Sequence, residues 1–427
     1  MDFLYKTIVR NYKATMTKLQ IPYGSKLIDI EIEGELLDPI DKSAGKNKSH
    51  DVIRHTLQNP IGTKRLREIV NTQKDAAIVI VVDDHTRDAP TEKMLDALIE
   101  EIGHTDQITV LVACGTHPPP REENLKSILG KHHSCFDVEI HNCDAQDMVY
   151  AGTTSRGTPV SLNRTYMDAD IKILTGDITL HYYAGFGGGR KSILPGISSR
   201  ESIKRNHALL VDEQAKIANT ENNPVHLDMC EAASYAPPDF VLNAVADASG
   251  NLIDAYVGEM NAVFLKGVDA AKDLYLRKTN ALFDVLLVSA GGFPKDRNLY
   301  QATKAIENCF RVVVPGGKLI LVAESREGIG DPYFEEWMNK YANYEEVEEA
   351  IKTNFVLGGH KAYYIRRVMK YLQLSLVSNL DKQTIKSWGI NAYKSVLDAV
   401  KEEINITDKI KVGIVKDGKD TLIVPAL

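Results

Sequence analysis

Apolar positions along the chain take two recurring shapes: short unbroken β-branched runs, and longer stretches with helical spacing. The run Ala76-Ala-Ile-Val-Ile-Val-Val82 is of the first kind, apolar on both faces as a strand covered on each side must be. It ends in Asp83-Asp-His-Thr-Arg87, after which Pro90-Thr91 opens a helical pattern to about Glu101. Ile108-Thr-Val-Leu-Val-Ala113 repeats the arrangement, running into Cys114-Gly-Thr-His117 and then a helical stretch from about Arg121. Val138-Glu-Ile140 is a weaker third strand. Ile171-Lys-Ile-Leu-Thr175 is a fourth, and leads through Gly176-Asp-Ile-Thr-Leu-His181 into a glycine-rich loop. Strand, loop and helix in repetition predict an α/β fold with a mainly parallel sheet. Val241 to Val257, centred on Ser249-Gly250, reads as a hairpin.

A second α/β block begins near residue 280. Asp284-Val-Leu-Leu-Val-Ser289 is its first strand, Gly291-Gly-Phe-Pro294 a loop, and Asn298 to Phe310 a helix. Leu319 to Ala323 follows the turn Pro315-Gly-Gly317, and Leu374 to Val377 is a further strand. The tail from Lys411 to Val424 alternates about Asp417-Gly418, a hairpin signal. The expected organisation is an N-terminal α/β domain over 1–275 and a C-terminal α/β domain over 276–408. The tail 409–427 is expected to return to the first.

Composition narrows the function classes. The 427 residues carry 51 Lys and Arg against 58 Asp and Glu, a formal charge of −7, which gives no electrostatic reason for nucleic acid or an anionic membrane as partner. No apolar run approaches the ~20 residues needed to cross a bilayer. The N-terminus MDFLYKTIVRNYKATMTKLQ scatters basic residues among apolar ones and lacks a small-residue cleavage site, so it does not read as a signal peptide. The five cysteines, Cys114, Cys135, Cys143, Cys230 and Cys309, are dispersed and form no CxxC, against both a disulfide framework and a cysteine-built zinc site. A reduced, cytoplasmic enzyme is the expectation.

The unusual chemistry sits at predicted strand ends, where open parallel sheets bind ligands. Three ends carry polar clusters: Asp84-His85-Thr86-Arg87, Gly115-Thr116-His117 and His181. Each alone could be an N-cap or a solvated loop residue; three in one sheet point to a lined crevice. The loop Tyr182-Tyr-Ala-Gly-Phe-Gly-Gly-Gly-Arg-Lys-Ser192 suggests a phosphate cradle, because glycines admit close backbone approach and Lys and Arg add charge. Counted from Gly185, however, both the P-loop and the dinucleotide fingerprint fail at Arg190, so neither ATP nor NAD follows. A lysine beside an arginine in such a loop suits a nucleophile or covalent anchor of depressed pKa. His207 lies in a helical stretch, Lys204-Arg-Asn-His207, and Gln301 and Lys304 share one helix face, a pairing suited to a carboxylate.

These residues resemble the nickel-dependent lactate racemase family, whose members racemise or epimerise 2-hydroxy acids. The resemblance covers most of the chain. It rests on Asp84-His-Thr-Arg87, Gly115-Thr-His117, the run His181 to Gly196, Asn206-His207, and Asn298-Leu-Tyr-Gln-Ala-Thr-Lys304. It implies two α/β domains with the active site in the cleft between them. It also implies a nickel pincer cofactor, pyridinium-3-thioamide-5-thiocarboxylic acid mononucleotide, built by accessory cofactor-synthesis enzymes. By position Lys191 resembles the lysine that carries the cofactor through a thioamide bond, and His207 the protein ligand to nickel. His117 and His181 resemble the acid/base pair, and Asp84, His85, Thr86, Arg87, Gln301 and Lys304 the contacts to cofactor and substrate. Departures are small: Cys114 and Thr116 around the first histidine, two tyrosines after His181, and glycine rather than serine at Gly188 or its neighbour.

The implied chemistry explains the residue types. Proton abstraction from a 2-hydroxy acid would leave a carbanion beside a carboxylate, whereas hydride removal gives a stable 2-keto acid if an electrophilic ring accepts it. The hydroxyl then loses its proton to a neutral histidine, and return of hydride to the other face needs a second one. Lactate is the default substrate. Two other readings stay open: a nickel- or zinc-dependent hydrolase using His117, His181 and His207 as ligands, and a non-catalytic binder of the cofactor or a hydroxy acid.

Overall fold

The computed structural model describes residues 16–37, 51–87, 89–103, 105, 107–246, 251–404 and 410–426. The chain divides into two units, one within 41–274 and one joining the residues up to 40 to those from 275 onward.

The first unit is built on a six-stranded sheet in the order Leu252–Gly258, Phe240–Ala246, Ile171–Asp177, Ile78–Asp83, Ile108–Ala113, Asp137–Ile140. The last five are parallel, and Leu252–Gly258 runs antiparallel at the edge. The β-branched run of Ile78–Asp83 forms the strand expected of it: Val79, Ile80, Val81 and Val82 are fully buried, Ile80 and Val82 packing with Met94, Leu95 and Leu98 of helix Thr91–Ile102. The hairpin expected around residues 241–257 forms as Phe240–Ala246 against Leu252–Gly258; its Ser249-Gly250 tip lies outside the described residues. From Ile78–Asp83 the chain steps to Ile108–Ala113 and Asp137–Ile140 on one side. It later lays Ile171–Asp177 and Phe240–Ala246 on the other. The strand order therefore reverses between Ile78–Asp83 and Ile171–Asp177, the switch point where such sheets open a ligand crevice.

The second unit repeats the logic in a six-stranded sheet, all parallel, in the order Asn391–Tyr393, Gln373–Val377, Val313–Val322, Phe283–Ser289, Val412–Val415, Glu35–Leu36. Its switch point falls beside Phe283–Ser289, and the chain leaving that strand enters helix Leu299–Cys309, which carries Gln301 and Lys304.

Both chain ends depart from expectation. The tail does not join the first domain and does not fold on itself. Val412–Val415 pairs in parallel with Phe283–Ser289, and Leu422–Pro425 pairs in parallel with Leu276–Thr279. All four residues of Val412–Val415 are buried, so this run fills the interior of a parallel sheet and offers no solvent face to a hairpin. Gly418 between the two strands is fixed by its N–H on Ser289 O (2.8 Å). The N-terminal segment likewise belongs to the second unit. The antiparallel pair Met16–Tyr23 and Lys26–Glu33 buries Ile21, Ile30 and Ile32 against Val285, Leu287 and Ile414, and the Gly24 N–H donates to Asp296 Oδ2 at 2.7 Å. Among the described residues no helix is long and apolar enough to cross a membrane.

Candidate active site

Three strand-end loops and one helix assemble the polar residues of the first unit. Asp84 follows Ile78–Asp83 and is 3% exposed. Its Oδ1 accepts from the Thr86 N–H (2.8 Å) and hydroxyl (2.6 Å), an Asx turn that shapes the Asp84-His-Thr-Arg87 segment. Its Oδ2 lies 2.6 Å from Nδ1 of His117, which follows Ile108–Ala113. Burial would raise the Asp84 carboxyl, but the bonds from His117 and Thr86, with the charge of Arg87, hold it at about 2. An ionised carboxylate only accepts, so His117 donates through Nδ1–H and its Nε2 is the nitrogen able to take a proton. In this structure the side chains of Asp84 and Thr86 both lie against His117, Thr86 Oγ1 at 3.3 Å from its Nδ1; His85 is exposed.

Asp84 therefore carries a testable stability term. A carboxyl lowered from about 4 to about 2 contributes about 2 kcal/mol at neutral pH, present above the unfolded value and lost as pH falls toward 2. Asp84→Asn should remove that dependence. Urea unfolding at pH 7 and pH 3 should show about 1 kcal/mol less loss in the variant than in the wild-type chain, and an equal loss would contradict the assignment.

His181 ends the two-residue strand Leu180–His181, paired in register with Gly185. Gly185 has φ +78, a conformation that glycine adopts at little cost, and this closes the turn. The Ala184 N–H donates to His181 Nδ1 (3.2 Å), and His181 Nε2 lies 3.2 Å from Lys191 Nζ. Burial, then the charges of Arg87 and Arg190, drive the Lys191 ammonium well below its ordinary value against the pull of Asp83 and Asp177. Burial, Lys191 and Arg87 likewise hold His181 well below its own. One proton arrangement satisfies both contacts: His181 accepts at Nδ1 and donates Nε2–H to the lone pair of a neutral Lys191 amine. A neutral primary amine is the form a covalent attachment requires.

The glycine loop is rigid for a reason that the sequence hid. Arg190, 1% exposed, turns inward and donates to four backbone carbonyls: Ala184 (3.0 Å), Phe186 (2.9 Å), Gly187 (3.1 Å) and Gly188 (2.9 Å). Its guanidinium lies 4.2 Å over the Phe264 ring. The loop's arginine is thus a clasp rather than a phosphate ligand. Asn243 Oδ1 accepts from Gly189 N–H (3.0 Å), and Ser192 donates its hydroxyl to Thr175 O (3.1 Å), fastening the loop to the sheet. At Gly188 a Cβ would come within 2.7 Å of Ile178, so no larger residue fits there unaltered. Gly115 N–H donates to Gly196 O (2.9 Å), tying the His117 loop to the same structure.

His207 lies on helix Arg200–Ala208 and is 4% exposed. Burial, with Lys191 and His117 nearby, holds it well below its ordinary pKa and so neutral. Tyr183 lies between the two histidines, its ring centroid 4.4 Å from His181 and 5.1 Å from His207. In the sequence this tyrosine stands only as a departure, and its one signal is adjacency to His181. Asp83 and Asp177, acids at the ends of the two strands flanking the switch point, join the site without having been singled out by the sequence pattern. Burial and the neighbouring Asp177 push the Asp83 carboxyl up. In the second unit Asn298 caps helix Leu299–Cys309, its Oδ1 accepting from Gln301 N–H (3.0 Å), and Gln301 and Lys304 are half-buried. Among the described residues no group of three or more His, Cys, Asp or Glu is placed to hold a metal ion, so the hydrolase reading finds no preformed histidine site.

A parallel-sheet unit with neutral histidines and a lysine at its switch point defines an α/β enzyme. Residues 23–218 match the family model of the lactate racemase N-terminal domain, and residues 278–423 that of the lactate racemase C-terminal domain. The chain belongs to the lactate racemase family and is an isomerase. It is 29% identical to the lactate racemase of Thermoanaerobacterium thermosaccharolyticum, covering 96% of this chain and 99% of that one. It is also 29% identical to the lactate racemase of Lactiplantibacillus plantarum, covering 96% and 100%. The solved lactate racemase apoprotein of T. thermosaccharolyticum superposes with a TM-score of 0.87 at 27% identity, over 95% of this chain and all of that one. A Thermotoga maritima protein shares the fold, with a TM-score of 0.65 at 19% identity over 90% and 99%.

Proposed function

We propose that this protein racemises a 2-hydroxy acid, lactate in the first instance, by hydride transfer through a 2-keto acid, using a nickel pincer cofactor carried on Lys191. The observation that carries this reading is Lys191 on the switch-point loop, its Nζ 3.2 Å from His181 Nε2 and its charged form disfavoured by burial and by Arg87 and Arg190. The donor set fits the group: Lys191 offers a nucleophilic nitrogen for the covalent link, and His207 a neutral imidazole for nickel. When bound, the cofactor supplies an electrophilic pyridinium ring that accepts the hydrogen at C2 as hydride.

The chain's own residues do the rest. His117, with Nδ1–H held by the Asp84 carboxylate, takes the substrate hydroxyl proton at Nε2 as the hydride leaves. His181 serves the opposite enantiomer. Arg87 supplies a fixed positive charge for the substrate carboxylate. Gln301 and Lys304 enter through the family resemblance, as contacts to cofactor and carboxylate.

The test is conversion of one lactate enantiomer. Protein co-expressed with the accessory cofactor-synthesis enzymes should bring L-lactate to a racemic mixture, followed by chiral chromatography. Protein made without them should fold and convert nothing, and full activity from that protein plus nickel salt alone would contradict the reading.

A further inference from the structure

His207 does not sit alone on its helix. Its Nδ1 lies 3.1 Å from Asn206 Oδ1. The Asn206 amide nitrogen donates to Val225 O (3.2 Å) and to Asp228 Oδ2 (2.8 Å). Asp228, on helix Pro224–Ser234, also accepts the Thr154 hydroxyl on Oδ1 (2.6 Å) and the Thr158 hydroxyl on Oδ2 (2.8 Å). Asn206, Asp228 and Thr158 have no solvent exposure, and Thr154 is 3% exposed. The network therefore joins the turn between strands Val149–Thr153 and Pro159–Leu162 to two helices, and its members are buried.

The direction of every bond in this chain is fixed by chemistry. Val225 O is a carbonyl and can only accept, so the Asn206 atom facing it is the nitrogen. The Asn206 oxygen must then face His207, and as an amide oxygen it too can only accept. His207 therefore carries its proton on Nδ1, and Nε2 is the ring nitrogen with the lone pair.

We infer that Asn206 and Asp228 are positioning residues that lock His207 in the Nδ1–H tautomer, so that Nε2 is the nitrogen presented to nickel. The assignment rests on the cofactor reading for its purpose, but the tautomer itself belongs to the cofactor-free chain. Partners of this kind on the remote nitrogen of a metal-binding histidine fix ring orientation and basicity, and their loss typically lowers metal affinity by roughly 10–100-fold.

The experiment has two parts. Ring-nitrogen NMR of ¹⁵N-histidine-labelled, cofactor-free protein, with His207 assigned by its absence in His207→Gln, should show Nδ1 protonated and Nε2 bare. Asn206→Ala should mix the two tautomers, and Asp228→Asn, which weakens the hold on the Asn206 amide, should do so partially. In protein loaded with the cofactor, both variants should keep the adduct on Lys191 by intact mass. Both should also release nickel at roughly 10–100-fold lower chelator concentration than the wild type. A wild-type His207 protonated on Nε2 would overturn the inference, even if a variant failed to fold. So would an Asn206→Ala protein with unaltered tautomer and nickel retention. A wild-type protein bearing no adduct would instead defeat the cofactor reading, while the cofactor-free spectrum would still decide the tautomer.

Discussion

His117→Ala and His181→Ala should slow opposite half-reactions. If each histidine serves one enantiomer as base and the other as acid, His117→Ala slows formation of the keto acid from one lactate enantiomer far more than from the other. His181→Ala shows the reverse preference. A missing acid/base group costs ~10²–10⁴ in rate, so the asymmetry should be plain when the keto acid is trapped in single turnovers of loaded enzyme. Either variant should nearly abolish net racemisation, because a full turnover uses both residues. Nickel should stay in both and be lost only from His207→Ala. Equal slowing of both enantiomers by both variants would refute the two-base scheme. The Asp84–His117 contact sharpens the forecast, since a histidine already oriented by a carboxylate is a poor candidate for a merely structural role.

Lys191→Ala should carry no adduct and have no activity, yet unfold like the wild-type protein. The side chain contributes little to the core, and burial already disfavours its charged form, so removing it costs little beyond the contact with His181 Nε2. Arg190 is the contrasting neighbour. Arg190→Ala would strand four carbonyl acceptors, each at a cost of about 1–3 kcal/mol, and should lower the unfolding temperature markedly. Adduct on the Lys191→Ala protein would place the covalent link elsewhere.

The buried parallel strands were legible because an unbroken run such as Ile78 to Val82 has one economical use. The strand-end residues were legible because parallel sheets put their chemistry there. Partnership was less readable. The alternation of the tail about Asp417-Gly418 says which residues can pair with a neighbour but not which neighbour, and Val412–Val415 found Phe283–Ser289 in place of its own continuation. For the same reason the Met16–Tyr23 and Lys26–Glu33 pair, early in sequence, completes the unit built mainly from late residues. Within the site, residue types were visible and directions were not. Arg190 beside three glycines reads as an anion ligand until its guanidinium is found turned inward, and nothing in the sequence joins Asp84 to His117. Asn206 was visible beside His207, but Asp228, 22 positions away on a different helix, offered no pattern that joins it to them.

The central claim, a racemase working through a lysine-tethered cofactor, is tested most directly by the intact mass of active protein purified from a host that makes the cofactor. The account predicts a mass above that of the 427-residue chain that survives denaturation, with the adduct mapping to the peptide that contains Lys191. Fully active protein at the unmodified mass would contradict it.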